Sequence, residues 1–393
     1  MPTSHHKTTL RSVYERTLLD DVIPFWLRNG MDSEYGGIMT CLDRHGAVVD
    51  DDKSVWFQGR AAWMFATLYN DVRQHDPWLA AALNCLDFLD RNCADESGRL
   101  YFQVTRQGEP IRKRRYVYSE AFGAIGHAAA YRATGRDSHK ERAERLFETY
   151  MDWSFTPGRM PAKFEPGRRM TSLASRMIAI ATAQELRENL IDIRYDAVID
   201  RMIAEIDRLF VNRELKAVLE NVSPDGDFVD HIDGRQLNPG HALECAWFVL
   251  EESRVRGGIP EFVELGTTIV DWMWRWGWDE VHGGILYFRD VKNKPVTEYW
   301  HDMKFWWPHC EAIIATLMAY EATGQAKYAE WHRSVHDWSF KHFADPEFGE
   351  WYGYLHRDGS ISQTCKGSLW KGPFHLPRMA CICKSILDRD LGQ

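Results

Sequence analysis

One loop pattern recurs along this chain, and its spacing limits what the chain can fold into. An acidic residue followed by aromatic or apolar residues and glycine occurs as Asp32-Ser33-Glu34-Tyr35-Gly36-Gly37, Asp279-Glu280-Val281-His282-Gly283-Gly284 and Asp345-Pro346-Glu347-Phe348-Gly349-Glu350. A looser copy runs from Asp95 to Phe102, and a weaker one begins near Asn212. The starts lie 63, 117, 67 and 66 residues apart, so the long gap is about two periods and one copy is missing near residue 160. An Asp–aromatic pair stands eight residues ahead of the loop Asp in three copies, as Asp87-Phe88, Asp271-Trp272 and Asp337-Trp338. The same pair at Asp152-Trp153 marks the degenerate copy, and Asp152 through Phe155 repeats Asp337 through Phe340 letter for letter. A fixed period of this kind is the signature of repeated supersecondary units. Six units of about 62 residues fill the 393-residue chain.

Each unit carries two helical stretches. After the loop comes a short alternating run, such as Gly284 to Arg289, which predicts a hairpin strand. A helix follows with apolar residues recurring at three and four: Trp56 to Val72, Tyr118 to Thr134, Ser172 to Leu186, His241 to Ser253, His309 to Thr323 and His375 to Leu387. Two of these end in Ala-Thr-Gly, at 133–135 and 322–324, with the glycine suited to a helix C-cap. A second helix leads to the next Asp–aromatic pair. Six helical hairpins can stack openly as a solenoid or close into a ring. The first helices are apolar nearly all round, as an inner ring buried on both sides requires. The expectation is therefore an all-α (α/α)6 barrel of six helical hairpins with short β-hairpin loops at one rim. No Pro/Ser-rich linker interrupts the chain, so one domain is expected over residues 1–393.

Composition narrows the partners. The net charge of −9 argues against nucleic acid, and no apolar run reaches the roughly 18 residues that span a membrane. The start of the chain, Met1 to Lys7, lacks the apolar stretch of a signal peptide. The eight cysteines include no Cys-x-x-Cys pair, so free thiols in a reducing cytoplasm are expected. The 17 tryptophans suit either a large helical core or the aromatic faces of a sugar site.

Two segments place a histidine at a Pro/Gly break where a helix begins: Asn238-Pro239-Gly240-His241-Ala242-Leu243-Glu244 and Lys371-Gly372-Pro373-Phe374-His375-Leu376-Pro377-Arg378. Histidine exchanges protons near neutral pH, so two facing one cleft can work as base and acid; two satisfied structural histidines are the plain alternative. In a closed ring the inner helices begin at one rim, and similar positions converge on a central pocket. The polar residues near those starts are Gln58 and Arg60, Ser119 and Glu120, His241 and Glu244, His309 and Glu311, and His375 and Arg378. Some of them serve as caps and rim salt bridges, yet the set is too polar for idle core. Gly-x-Ser-x-Gly, His-Glu-x-x-His and a Gly-x-x-x-x-Gly-Lys phosphate loop are absent, which leaves acyl transfer, metal ligation and nucleotide hydrolysis without a motif.

Several of these runs resemble the N-acylglucosamine 2-epimerase family. The resemblance rests on Glu220-Asn221-Val222-Ser223-Pro224-Asp225-Gly226, the two histidine segments, Lys304 through Glu311 and Asp345 through Leu355, and extends from about Tyr14 to Ile386. It implies an (α/α)6 barrel that interconverts N-acetylglucosamine and N-acetylmannosamine, usually as a homodimer, with no cofactor or metal required for the chemistry. It further implies that His241 and His375 are the acid/base pair and that Arg60, Glu244 and Glu311 hold the sugar. Relatives acting on mannose, sulfoquinovose or cellobiose carry a further histidine on the third inner helix. Here that helix reads Thr171 through Ile178 without one, which favours the N-acyl sugar. Arg176 departs from the N-acyl pattern and is a candidate to reshape the pocket. The resemblance also brings ATP into view as an allosteric activator, with Lys163, Arg168 and Arg169 as candidates to receive its phosphates and a solvated basic loop as the alternative. An aldose–ketose isomerase and a binding protein without catalysis remain the competing readings.

Overall fold

A computed structural model describes residues 4–392, and the repeat appears in it as a ring within a ring. Helix α1 (Ser4–Arg16) passes through a π-helical turn (Thr17–Val22) into α2 (Ile23–Asn29). There follow α3 (Val55–Asp71), α4 (Asp76–Asn92), α5 (Tyr118–Thr134), α6 (Asp137–Phe155), α7 (Leu173–Leu190) and α8 (Asp196–Leu209). After a single turn, α9 (Ile232–Arg235), come α10 (Pro239–Val255), α11 (Pro260–Gly277), α12 (Trp306–Thr323), α13 (Ala326–His342) and α14 (His375–Leu391). The inner ring is α3, α5, α7, α10, α12 and α14, the six helices expected from the period, with starts shifted by at most three residues. Gly135 and Gly324 cap α5 and α12 in the left-handed conformation, as their Ala-Thr-Gly endings predict.

The inner helices pack in sequence order. Between α3 and α5 the backbones nearly touch, because a Cβ on Gly59 would strike the Phe122 backbone and one on Gly126 would come within 2.9 Å of the Gly59 carbonyl. The last unit meets the first through Phe374, whose ring lies 5.3 Å from that of Trp63, and through backbone bonds between Leu42 and residues 366–367. The ring is closed, and the solenoid alternative is set aside.

The recurring loop aspartate has a structural task. Asp32 binds the fully buried Lys53 at 2.8 Å, Asp279 binds Lys304 at 3.1 Å, and Asp345 binds Lys366 at 2.9 Å. An arginine reaches each from the hairpin of the next unit: Arg106 to Asp32 at 2.9 Å, Arg357 to Asp279 at 2.8 Å, and Arg44 to Asp345 at 2.8 Å. Arg44 belongs to the first hairpin and Asp345 to the last unit, so the same bond that joins neighbours also closes the ring. A buried charge left without its partner costs about 3–5 kcal/mol, which explains why acid and base recur together.

The hairpins sit at the rim where the inner helices start. Cys41–Leu42 pairs with Val48–Asp50, Gln103–Val104 with Pro110–Arg112, Val211–Asn212 with Ala217–Val218, and Tyr354–Leu355 with Ile361–Gln363. The run Gly284 to Arg289 differs from the expectation. It makes one bridge at Ile285, and its strand, Arg289–Asp290, pairs with Gln236–Leu237 rather than folding back on itself. The degenerate copy near residue 160 contains only a short turn at Pro166–Arg168 and no hairpin of its own.

Candidate active site

A cavity of about 1580 Å³ runs along the barrel axis, and the inner helices aim the chemistry-bearing side chains into it. Helix α10 starts because Asn238 caps it, accepting the His241 N–H at 3.2 Å, with Pro239 in the first turn. Gly240 leaves space for the Trp307 ring, since a Cβ there would come within 2.7 Å of it. Trp307 thereby lies between the two histidines, its ring 5.1 Å from that of His241 and 5.7 Å from that of His375.

Each histidine is oriented by a carboxylate. His375 Nδ1 donates to Glu311 Oε1 at 2.7 Å, and Glu311 Oε2 accepts the Trp247 indole N–H at 2.7 Å. His241 Nδ1 lies 3.1 Å from both oxygens of Glu220. With Nδ1 committed to a carboxylate, Nε2 is the atom each ring has left for a ligand. Glu244, one turn beyond His241, holds Arg378 instead: Arg378 Nη2 donates to Glu244 at 2.5 Å and to Glu311 at 2.7 Å. Glu244, Glu311 and His375 could together supply three ligand atoms to an ion, but the guanidinium of Arg378 already lies among them.

The two histidines are biased in opposite directions. Burial, reinforced by the charge of Arg378, pushes His375 well below its ordinary value. Burial also works against the charged form of His241, but the charge and hydrogen bond of Glu220 outweigh it and the net shift is upward. Arg60 is the third charged group. It makes no hydrogen bond or ion pair among the described residues, and its guanidinium lies over Phe122 at 3.9 Å and Phe374 at 4.6 Å. Burial lowers its value to about 9. A buried cation without a partner is costly, and an anion forming in the cavity relieves that cost.

The remaining rim residues are loop fasteners. Gln58 Oε1 accepts the Ile38 N–H at 2.8 Å, Glu120 Oε1 the Leu100 N–H at 3.0 Å, and His309 Nε2 the Ile285 N–H at 2.8 Å. Each sits near the start of an inner helix and reaches the loop about six residues past the recurring aspartate. His309 also donates to the Phe305 carbonyl at 2.7 Å and stacks on Trp338. Replacing His309 with alanine is therefore expected to lower the melting temperature by several degrees, in line with about 1–3 kcal/mol for an orphaned buried N–H, while kcat changes less than threefold. Thermal unfolding and turnover measured on the same preparation check this.

Arg176 does not reshape the cavity. It turns away between α7 and α8, donating to Glu205 at 3.0 Å and to Thr171 at 2.7 Å. The face α7 turns to the cavity is Ala174, Met177, Ile178 and Ala181 in its first turns, followed by Thr182, Gln184, Glu185, Arg187 and Glu188. Lys163, Arg168 and Arg169 are exposed and lie outside the cavity lining, with Arg168 2.6 Å from His231. The one His-x-x-x-His spacing in the chain, His332 and His336, lies outside the cavity and faces the Tyr14 hydroxyl at 3.1 and 2.9 Å. Glu220 and Arg378 are the site members that the sequence list of acid, base and sugar-holding residues lacked.

A closed (α/α)6 barrel with two carboxylate-backed histidines around an aromatic cavity defines a carbohydrate-handling enzyme of the isomerase class. Residues 36–375 match the N-acylglucosamine 2-epimerase family, and the chain belongs to it. It is 36% identical to the N-acylglucosamine 2-epimerase of Bos taurus over 98% of this chain and 93% of the bovine one. With the enzyme of that name from Homo sapiens it shares 35% identity, over 97% of this chain and 91% of the human one. Its fold matches the solved cellobiose 2-epimerase of Bacillus thermoamylovorans B4167 with a TM-score of 0.84 at 20% identity, covering 97% of this chain and all of the other. Among the described residues no helix is long and apolar enough to cross a membrane.

Proposed function

We propose that the protein interconverts N-acetylglucosamine and N-acetylmannosamine by moving the proton at C2 of the open-chain sugar. The observation that carries this reading is the pair of histidines on one cavity, flanking Trp307, each backed by a carboxylate and biased in opposite directions. C2 lies beside the aldehyde carbon, so removal of its proton gives an enolate with its charge on the C1 oxygen. Inversion needs loss on one face and gain on the other. His375 is biased towards the neutral form of a base and His241 towards the charged form of an acid, so the pair is graded for its two roles. His375 takes the proton, Arg60 meets the oxyanion that develops at C1, and His241 returns a proton from the opposite face. The reverse reaction uses the same pair with the proton on the other ring.

Support for the N-acyl sugar comes from the first turns of the third inner helix, which line the cavity with Ala174, Met177, Ile178 and Ala181. An acetamido methyl group packs on such a wall, whereas a bare hydroxyl finds no partner there. The expected result is a kcat/KM for N-acetylmannosamine at least a hundredfold above that for mannose, the scale that polar mismatches reach in specificity. A ratio at or below one would place the substrate among neutral sugars.

A further inference from the structure

The cavity extends past the histidines, and one half-buried acid on its wall is unused by the chemistry above. Glu185 on α7 accepts the indole N–H of Trp63, on α3, at 2.6 Å. These two helices are not neighbours in the ring, since α5 stands between them, so the bond is a strut across the barrel. Asn189 donates to the same carboxyl oxygen at 3.1 Å. Trp63 in turn packs edge-on against Phe374 at 5.3 Å. Phe374 carries Arg60 on its ring at 4.6 Å and Arg378 at 4.5 Å, touches Phe122 at 5.8 Å, and immediately precedes His375.

We propose that Glu185 is a positioning residue for this reaction, holding Trp63 against Phe374 and thereby fixing Arg60 where the oxyanion forms. The inference rests on the role given above to Arg60, which has no hydrogen-bond or ion-pair partner among the described residues and is held by ring packing. Cross-ring struts are already at work on the other side of the cavity, where Arg378 on α14 binds Glu244 on α10. Glu185 completes the set from the side that carries Arg60.

Burial, with the nearby charge of Glu188, raises Glu185 to about 8, which favours its neutral form. Glutamine is then a close mimic in charge, shape and acceptor. The test compares E185Q, E185L, W63F and the double variant E185L/W63F for epimerisation of N-acetylmannosamine, with circular dichroism and melting curves on each. Expected is a fall in kcat of about tenfold to a hundredfold in E185L and in W63F, the scale of a catalytic group displaced by about an ångström. KM should stay within about threefold, because the loss falls on the transition state. E185Q should keep kcat within threefold, and the double variant should be no worse than the weaker single, as residues acting through one bond require.

A normal kcat in W63F, or E185Q failing as badly as E185L, overturns the proposal even if E185L does not fold. The strut is also read without turnover, by the indole 15N–1H resonance that W63F removes: it should move in E185L and stay in place in E185Q. No movement in E185L overturns the bond itself. Wild-type protein that fails to turn over any N-acyl sugar would instead sink the epimerase reading, a result seen before any variant is compared.

Discussion

His375→Ala and His241→Ala should each lower epimerisation by about a hundredfold to ten-thousandfold, the range that a positioned acid or base contributes. Neither change should unfold the barrel, because both rings face the cavity and the inner ring packs through its other residues. The two variants should differ in what they retain. The protein lacking His241 keeps the neutral base His375, with its Nδ1 proton still held by Glu311. It should still exchange the C2 proton of one epimer with solvent while failing to invert it. The protein lacking His375 should show the complementary exchange, with the other epimer, once His241 loses its proton. NMR of the C2 position in D2O separates the two. Near-full turnover by either variant in both directions would remove the two-base mechanism.

Arg378→Met should have the second large effect, on pH dependence and on stability together. Arg378 bridges Glu244 and Glu311, and both carboxylates outweigh burial in keeping it charged. Its removal leaves two buried carboxylates beside His375, a loss of about 3–5 kcal/mol by the usual cost of breaking a buried ion pair. It also removes the cation that, after burial, does most to hold His375 low. The base must be neutral to act, so its activity is present above its own value and lost as pH falls through it. In the wild type that acid limb should lie well below 6.5, the ordinary histidine value. In R378M it should move upward, so the deficit in kcat/KM grows as pH is lowered from 8 to 6. A deficit that is the same at every pH would mean that Arg378 acts only through packing.

The architecture was legible because it is periodic. Six repeat units and six apolar helices allow few folds, and the helix starts moved by at most three residues between sequence and structure. What the period could not tell was which polar residue near a helix start faces the cavity. Gln58 and Arg60 stand two residues apart, as do His309 and Glu311, and two residues turn a helix by about 200°. One of each pair must therefore face away, and Gln58 and His309 do, fastening loops. His241 with Glu244 and His375 with Arg378 are three apart and share a face. Arg176 falls off the face set by Ala174, Met177, Ile178 and Ala181, which is why it meets Glu205 rather than a ligand.

Glu220 was less accessible to sequence reasoning. It lies 21 residues before His241, beside a two-residue strand at Asn221–Val222 that pairs with Thr171–Ser172. Only tertiary pairing brings it to the ring. The carboxylate one turn after His241, Glu244, is taken by Arg378 across the barrel. Sequence neighbours supplied the residue types of the site, and the ring decided who bonds to whom.

The central claim is proton transfer at C2 between two histidines on opposite faces of an N-acyl sugar. Incubating the protein with N-acetylmannosamine in D2O and following C2 by NMR tests it most directly. The account predicts N-acetylglucosamine that carries deuterium at C2 from the first turnovers, while the N-acetylmannosamine remaining at early times is still protonated there. N-acetylglucosamine formed without deuterium at C2 would contradict it.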